Sequence, residues 1–242
     1  MSQFLSLFDA YNLRVRLSIG LILMAPFIIS IYLLVPNASN FPFTFMILIM
    51  CFGLCNLLMS ISRFLGRRAT AKCFPELMPA QQMLMPEDMT LDPITKKRYY
   101  KFFTSNLKGL SFSKEVTTAT NSCKSAIGWL IAQTRDAEKF PLIKEETINY
   151  GFCKNLYGLK SLGICTSSFL TILEVGILAA KYHLQFGYVE YSDLIASAMV
   201  SFAFTIVWIF FVTKEWVIDC GYRYARTLLS ACDSELLNTH RL

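Results

Sequence analysis

The sequence predicts an all-α integral membrane protein in which two transmembrane helical hairpins flank a helical cytosolic domain. Three observations predict it. Between Arg16 and Arg63 lies a run of 46 residues with no Asp, Glu, Lys, Arg or His. About 20 apolar residues span the hydrocarbon core, so this run is too long for one crossing and suits two. A second apolar pair lies late in the chain. Only Glu174 is charged between Lys160 and Lys181, and nothing is charged between Asp193 and Lys214. Finally, the basic excess is concentrated between the pairs: Arg63 to Lys160 holds 16 Lys/Arg against 9 Asp/Glu, a net of +7 in a chain of net charge +6. A hydrophobic fraction of 54% with 17% charged residues agrees with a lipid-facing surface.

Residues 1–16 read as a short cytosolic amphipathic segment. Phe4, Leu7, Phe8 and Tyr11 fall on one face, and Arg14 and Arg16 stand at the membrane entry. The segment lacks the basic start, short apolar run and small-residue site of a cleavable signal peptide. Residues 17–62 form the first hairpin, Leu17–Val35 and Phe43–Ser62, with Pro36, Asn37, Ser39, Asn40 and Pro42 breaking helix geometry between them. Arg63, Arg67, Arg68 and Lys72 then stop the second span. By the positive-inside rule they assign residues 63–158, and with them both termini, to the cytoplasm.

The 63–158 segment is too long for a plain loop. Pro75 to Pro93 reads as irregular. Asp92-Pro93 is a helix start, a capping carboxylate followed by Pro at the first helical position, for a helix over 93–106 ended by Gly109. Ser113 is the expected cap of a second helix running to Thr134, and a third begins near Pro141. Residues 159–213 hold the second hairpin, with Tyr182, Tyr188, Tyr191 and Trp216 placed for interfacial belts. Residues 214–242 read as a cytosolic helix, either continuous with the fourth span or separate from it.

Glu174 is the sharpest single residue. An ionisable group inside a span is costly and tends to face a bundle interior or a water-filled cavity. Ser167, Thr171 and Glu174 share one face of the third span, and Ser197, Ser201 and Thr205 repeat every four residues along the fourth. Such stripes line a pore or a subunit interface, or simply let helices pack closely. Four spans enclose little space, so a water-filled pore calls for a homo-oligomer. The first hairpin is expected to be the lipid-facing wall.

In the cytosolic domain, Lys96, Lys97, Arg98 and Tyr99 mix cations with aromatic faces. That composition suits a nucleotide ligand or, equally, anionic lipid headgroups. Arg135, Lys139, Tyr150, Lys154 and Asn155 could gather around Pro141 as a second part of a ligand or partner site. Glu145 and Glu146 could instead neutralise the neighbouring lysines as surface pairs.

Catalytic signatures are absent. No Gly-rich phosphate loop and no Gly-x-Ser-x-Gly occurs. The sequence has two His and no Cys-x-x-Cys, so no metal site, no cofactor and no enzymatic activity are expected.

The stretch from Thr134 to Lys160 carries Arg135-Asp136, Lys139-Phe140-Pro141 and Asn149-Tyr150-Gly151-Phe152. In these it resembles bacterial four-span membrane proteins of anti-phage defence operons. The resemblance covers about a tenth of the chain. It implies a multi-pass protein of the bacterial inner membrane: a homo-oligomeric effector, a gated channel or membrane-perturbing protein, controlled by a nucleotide or protein signal at its cytosolic domain. The alternative expectation is a non-conducting scaffold or sensor that recruits a cytosolic partner.

Overall fold

The computed structural model describes residues 18–35, 41–113, 115–184 and 189–238. The amphipathic segment expected at 1–16, the turn at 36–40 and residues 185–188 of the second turn lie outside these. Among the described residues every regular element is helical and no strand occurs. The helices are α1 (Ser18–Leu34), α2 (Phe41–Cys73), α3 (Pro79–Met83), α4 (Pro93–Asn106), α5 (Val116–Gln133), α6 (Pro141–Gly158), α7 (Lys160–Leu184), α8 (Tyr191–Phe210), α9 (Lys214–Ser230) and, after a single 3-10 turn, α10 (Glu235–Asn238).

Two of them, α7 with 25 residues and α8 with 20, are long and apolar enough to cross a membrane. Only 22% and 28% of their most apolar windows are buried within the chain. The apolar α1 is shorter, at 17 residues. Helix α2 is longer than the expected span at 33 residues, because it continues through Arg63, Arg67, Arg68 and Lys72 without a break.

The chain divides into two compact units, one of Met1–Thr70 with Gly151–Trp216 and the other of Ala71–Tyr150 with Val217–Leu242. The division falls eight residues inside each of the boundaries read at 62/63 and 158/159, because α2 and α6 each continue across it.

In the first unit α7 and α8 run antiparallel. Their paired residues fall in number on one helix as they rise on the other: Lys160 Nζ donates to the Ile209 carbonyl at 2.9 Å, and Thr205 Oγ1 donates to Ser167 Oγ at 3.0 Å. Helix α1 packs on both. Near its start Ile19 and Leu23 join Trp208, Val212, Leu156 and Leu159 in an apolar core. Small residues set the closest approaches. A Cβ on Gly163 would lie 2.2 Å from the Trp208 indole, and one on Gly158 only 2.6 Å from the Gly66 nitrogen. The usual distribution of polarity is inverted here. Phe169, Ile172, Met199, Phe202 and Phe210 are exposed, whereas Ser30, Ser167, Glu174, Ser197 and Ser201 are buried.

The second unit follows ordinary rules. Asp92 caps α4, its carboxylate accepting from the Thr95 backbone N–H at 2.8 Å. Thr95 accordingly holds the Asp92 carboxyl below its ordinary range. The predicted cap Ser113 does not begin α5. The helix starts three residues later, where the Glu115 carboxylate accepts from Thr118 Oγ1 at 2.7 Å and Thr117 Oγ1 at 3.1 Å. The segment expected to be irregular contains the five-residue α3.

Helix α9 is not a continuation of α8. Residues 211–213 break the chain, and Thr213 Oγ1 accepts from the Trp216 N–H at 3.2 Å. Val217, Cys220, Gly221, Ala225, Leu228 and Leu229 recur at helical spacing and form its buried face. Ala225, Leu228 and Leu229 enter one core with Phe102, Phe103, Ile127, Leu130 and Ile143. The C-terminal segment, read from sequence as a separate element, is part of the folded unit.

The Gly163 contact yields a test. Gly163→Ala pushes a methyl group into the buried Trp208 ring and is expected to cost about 1–3 kcal/mol. The measurement is thermal unfolding of the purified protein in detergent. Gly163→Ala with Trp208→Phe is expected to regain part of the loss.

Candidate functional site

Polar groups are rare inside the first unit, and they gather at one place. Glu174 sits in the middle of α7, seven residues before Lys181 and so about 10 Å along the axis from it. Its side chain is 1% exposed. Carboxylate Oε1 accepts from Ser30 Oγ of α1 at 2.6 Å and from Ser197 Oγ of α8 at 2.5 Å, and the two hydroxyls lie 2.8 Å apart. Three helices thus meet at one carboxylate oxygen. The other oxygen, Oε2, is buried without a hydrogen-bond partner.

The stripe residues divide by role. Thr171 Oγ1 donates back to the Ser167 carbonyl at 2.9 Å, and Ser167 Oγ to the Gly163 carbonyl at 2.6 Å. Thr205 Oγ1 reaches both the Ser201 carbonyl, at 3.1 Å, and Ser167 Oγ. Ser201, one turn from Ser197 on the same face of α8, is fully buried and its hydroxyl has no partner. Ser167, Glu174, Ser197 and Ser201 are therefore buried within the chain, Thr205 reaches Ser167 across the helix pair, and Thr171 is half-buried and bonded to its own helix. Ser30 was invisible to sequence reasoning: it stands in a span with no charge and no repeated polar spacing. Its burial at 5% exposure, opposite Glu174, also means that α1 is more than a lipid-facing wall.

The basic cluster of α4 splits in the folded chain. Lys96 is buried, and its Nζ donates to the Met85 carbonyl at 2.8 Å and to the Asp88 carbonyl. It clamps the 85–88 turn from within, and burial pulls its pKa down. Tyr99 is buried too, and desolvation pushes its hydroxyl up to about 12. Arg98 lies outside, paired with both carboxylate oxygens of Asp233 at 2.7 and 2.9 Å. Lys97 and Lys101 are exposed beside it, along an open groove with Ile94, Tyr100 and Thr104. The aromatic faces are spent inside the domain: Tyr100 stacks on Phe112, with centroids 4.2 Å apart.

The second cytosolic group also separates. Arg135 and Lys139 are exposed, and Lys139 pairs with Asp136 at 3.4 Å. Lys139 borders a groove of about 190 Å³ with Pro141, Thr227, Ser230 and Ser234. Tyr150 is buried, its ring parallel to that of Tyr224 at 6.0 Å. Lys154 and Asn155 belong to the first unit. There Asn155 is buried against Gly66, and burial followed by the nearby Arg67 lowers the Lys154 pKa.

Among the described residues no group of His, Cys, Asp or Glu is arranged to hold a metal through three such side chains. No family model, no curated protein and no solved structure matches the chain.

Ser30 and Ser197 share one acceptor and one mutual contact, so they act as a unit. Ser30→Ala and Ser197→Ala are each expected to cost about 1–2 kcal/mol in detergent unfolding. The double variant is expected to cost less than the sum, as coupled partners do.

Proposed function

We propose that the chain is a homo-oligomeric membrane effector that conducts or leaks ions under the control of its helical cytosolic unit, in the manner of the defence-operon proteins it resembles. In this reading 17–62 and 159–213 each cross twice, and both termini and the basic central segment are cytoplasmic in a bacterial inner membrane. Glu174 carries the reading: an almost fully buried carboxylate in a helix long enough to cross a membrane, held only by hydroxyl groups. Such a group is expensive in lipid and faces a bundle interior or a water-filled pathway. Ser197, Ser201 and Thr205 continue a polar line along α8 from this carboxylate. The inverted polarity of the first unit and the +7 charge of residues 63–160 support the membrane placement and the orientation.

In this conformation the polar line is shut. Trp208 packs across Gly163 near one end, and Ser30 closes the Glu174 end. Conduction calls for α1 or α8 to move off α7. Helix α6 leads into α7 with only Leu159 between them, so a signal read in the cytosolic unit has a short covalent route to the carboxylate.

A second reading is favoured by one observation: Ser30, Glu174 and Ser197 satisfy one another within a single chain, as a non-conducting scaffold would require. Induced expression followed with a potential-sensitive dye separates the two. Wild type with its neighbouring genes is expected to depolarise the membrane on activation, and Glu174→Gln to change the rate at least tenfold. Full insertion with no depolarisation under any condition would decide for the scaffold.

A further inference from the structure

We propose that Glu174, Ser30, Ser197 and Ser201 form a binding site for a small monovalent cation of the Na⁺ class. The proposal rests on the membrane placement above and names the ion for the same carboxylate. Two buried polar atoms point to a ligand. Glu174 Oε2 has no hydrogen-bond partner, and neither has Ser201 Oγ. Ser201 is the more telling. Buried Ser and Thr in a span usually bond to the carbonyl four residues back. Ser167, Thr171 and Thr205 all do so. Ser201 does not, and its hydroxyl remains available on the face that carries Ser197.

Charge points the same way. A buried acid side chain is accommodated by a compensating positive group or by a proton. The described part of α1 and the whole of α8 contain no Lys, Arg or His. Lys181 on α7 is engaged elsewhere: its Nζ donates to the Val189 carbonyl and lies 4.5 Å from the Tyr191 ring centroid. Carboxylate and hydroxyl oxygens are hard donors, suited to hard cations. The two carboxylate oxygens with Ser30, Ser197 and Ser201 supply up to five.

The test uses the full chain purified in detergent, with thermal unfolding measured in equal concentrations of NaCl, KCl and choline chloride, alongside binding of radioactive Na⁺. Wild type is expected to melt about 5 °C higher in NaCl than in choline chloride, and the KCl value reads the selectivity. Ser201→Ala removes no protein hydrogen bond, so a purely structural serine predicts an unaltered Na⁺ response. The site predicts Na⁺ binding about tenfold weaker. Glu174→Gln is expected to abolish it, and Ser201→Ala carries the test if that variant does not fold. Equal melting of wild type in all three salts, or an unaltered Na⁺ response in Ser201→Ala, overturns the proposal; either result leaves water as the partner of the two atoms. Na⁺ binding by a chain that never depolarises a membrane would keep the site and remove the conduction reading.

Discussion

The Glu174 carboxylate is the constraint on which the first unit depends. A carboxylate surrounded by apolar side chains must be hydrogen-bonded, and on α7 its only reach is toward neighbouring helices. Ser30 and Ser197 answer from α1 and α8, and to do so both helices must approach closely. Serine, threonine and glycine at Gly163, Ser167, Ser197 and Ser201 are small enough to allow it. The large apolar side chains are then displaced outward, where Phe169, Ile172 and Met199 are exposed. The inverted polarity of the unit and its polar centre are one fact seen from two sides.

The two units are thus built by opposite rules on one chain. In the second, Phe103, Leu130, Leu228 and Leu229 fill a dry core and the charges stand outside. Lys96, a buried cation there, is held by the backbone carbonyls of Met85 and Asp88 and so clamps a turn. In the first, the buried group is a carboxyl held by hydroxyls. A soluble core tolerates Lys96 because the long aliphatic stem packs while the ammonium reaches carbonyl oxygens. Glu174 has no such stem, so its helices must come to it.

Much of the fold was legible because it rests on local chemistry. Asp92-Pro93 marked the start of α4, and Pro141 the start of α6, since capping and proline geometry are read within a few residues. Apolar length with at most one charge identified α7 and α8. What failed depends on distant contacts. Ser113 is as good a cap as any in isolation, but α5 starts at Val116, where Glu115 gathers two threonines. The basic cluster of α4 looked continuous, yet a helix turns 100° per residue. Lys96 and Tyr99 therefore face the core while Lys97 and Arg98 face out. Ser30 carried no signal at all, because one serine in an apolar span is ordinary until the carboxylate opposite it is known.

Closure of the polar cluster within one chain changes what a conducting state must look like. If the stripe faced an oligomer axis, subunits could open by sliding apart with each chain unchanged. Here Glu174, Ser197 and Ser201 face the interior of α1, α7 and α8. Exposing them to a pathway breaks at least one hydrogen bond to the carboxylate. In the proposed reading that cost favours the shut form at rest. It also makes opening depend on whatever replaces the lost partner: the unpartnered Ser201 hydroxyl, water or a cation. Gate and ion site would then be the same four residues, and control would act on the spacing of α1 and α8 about α7.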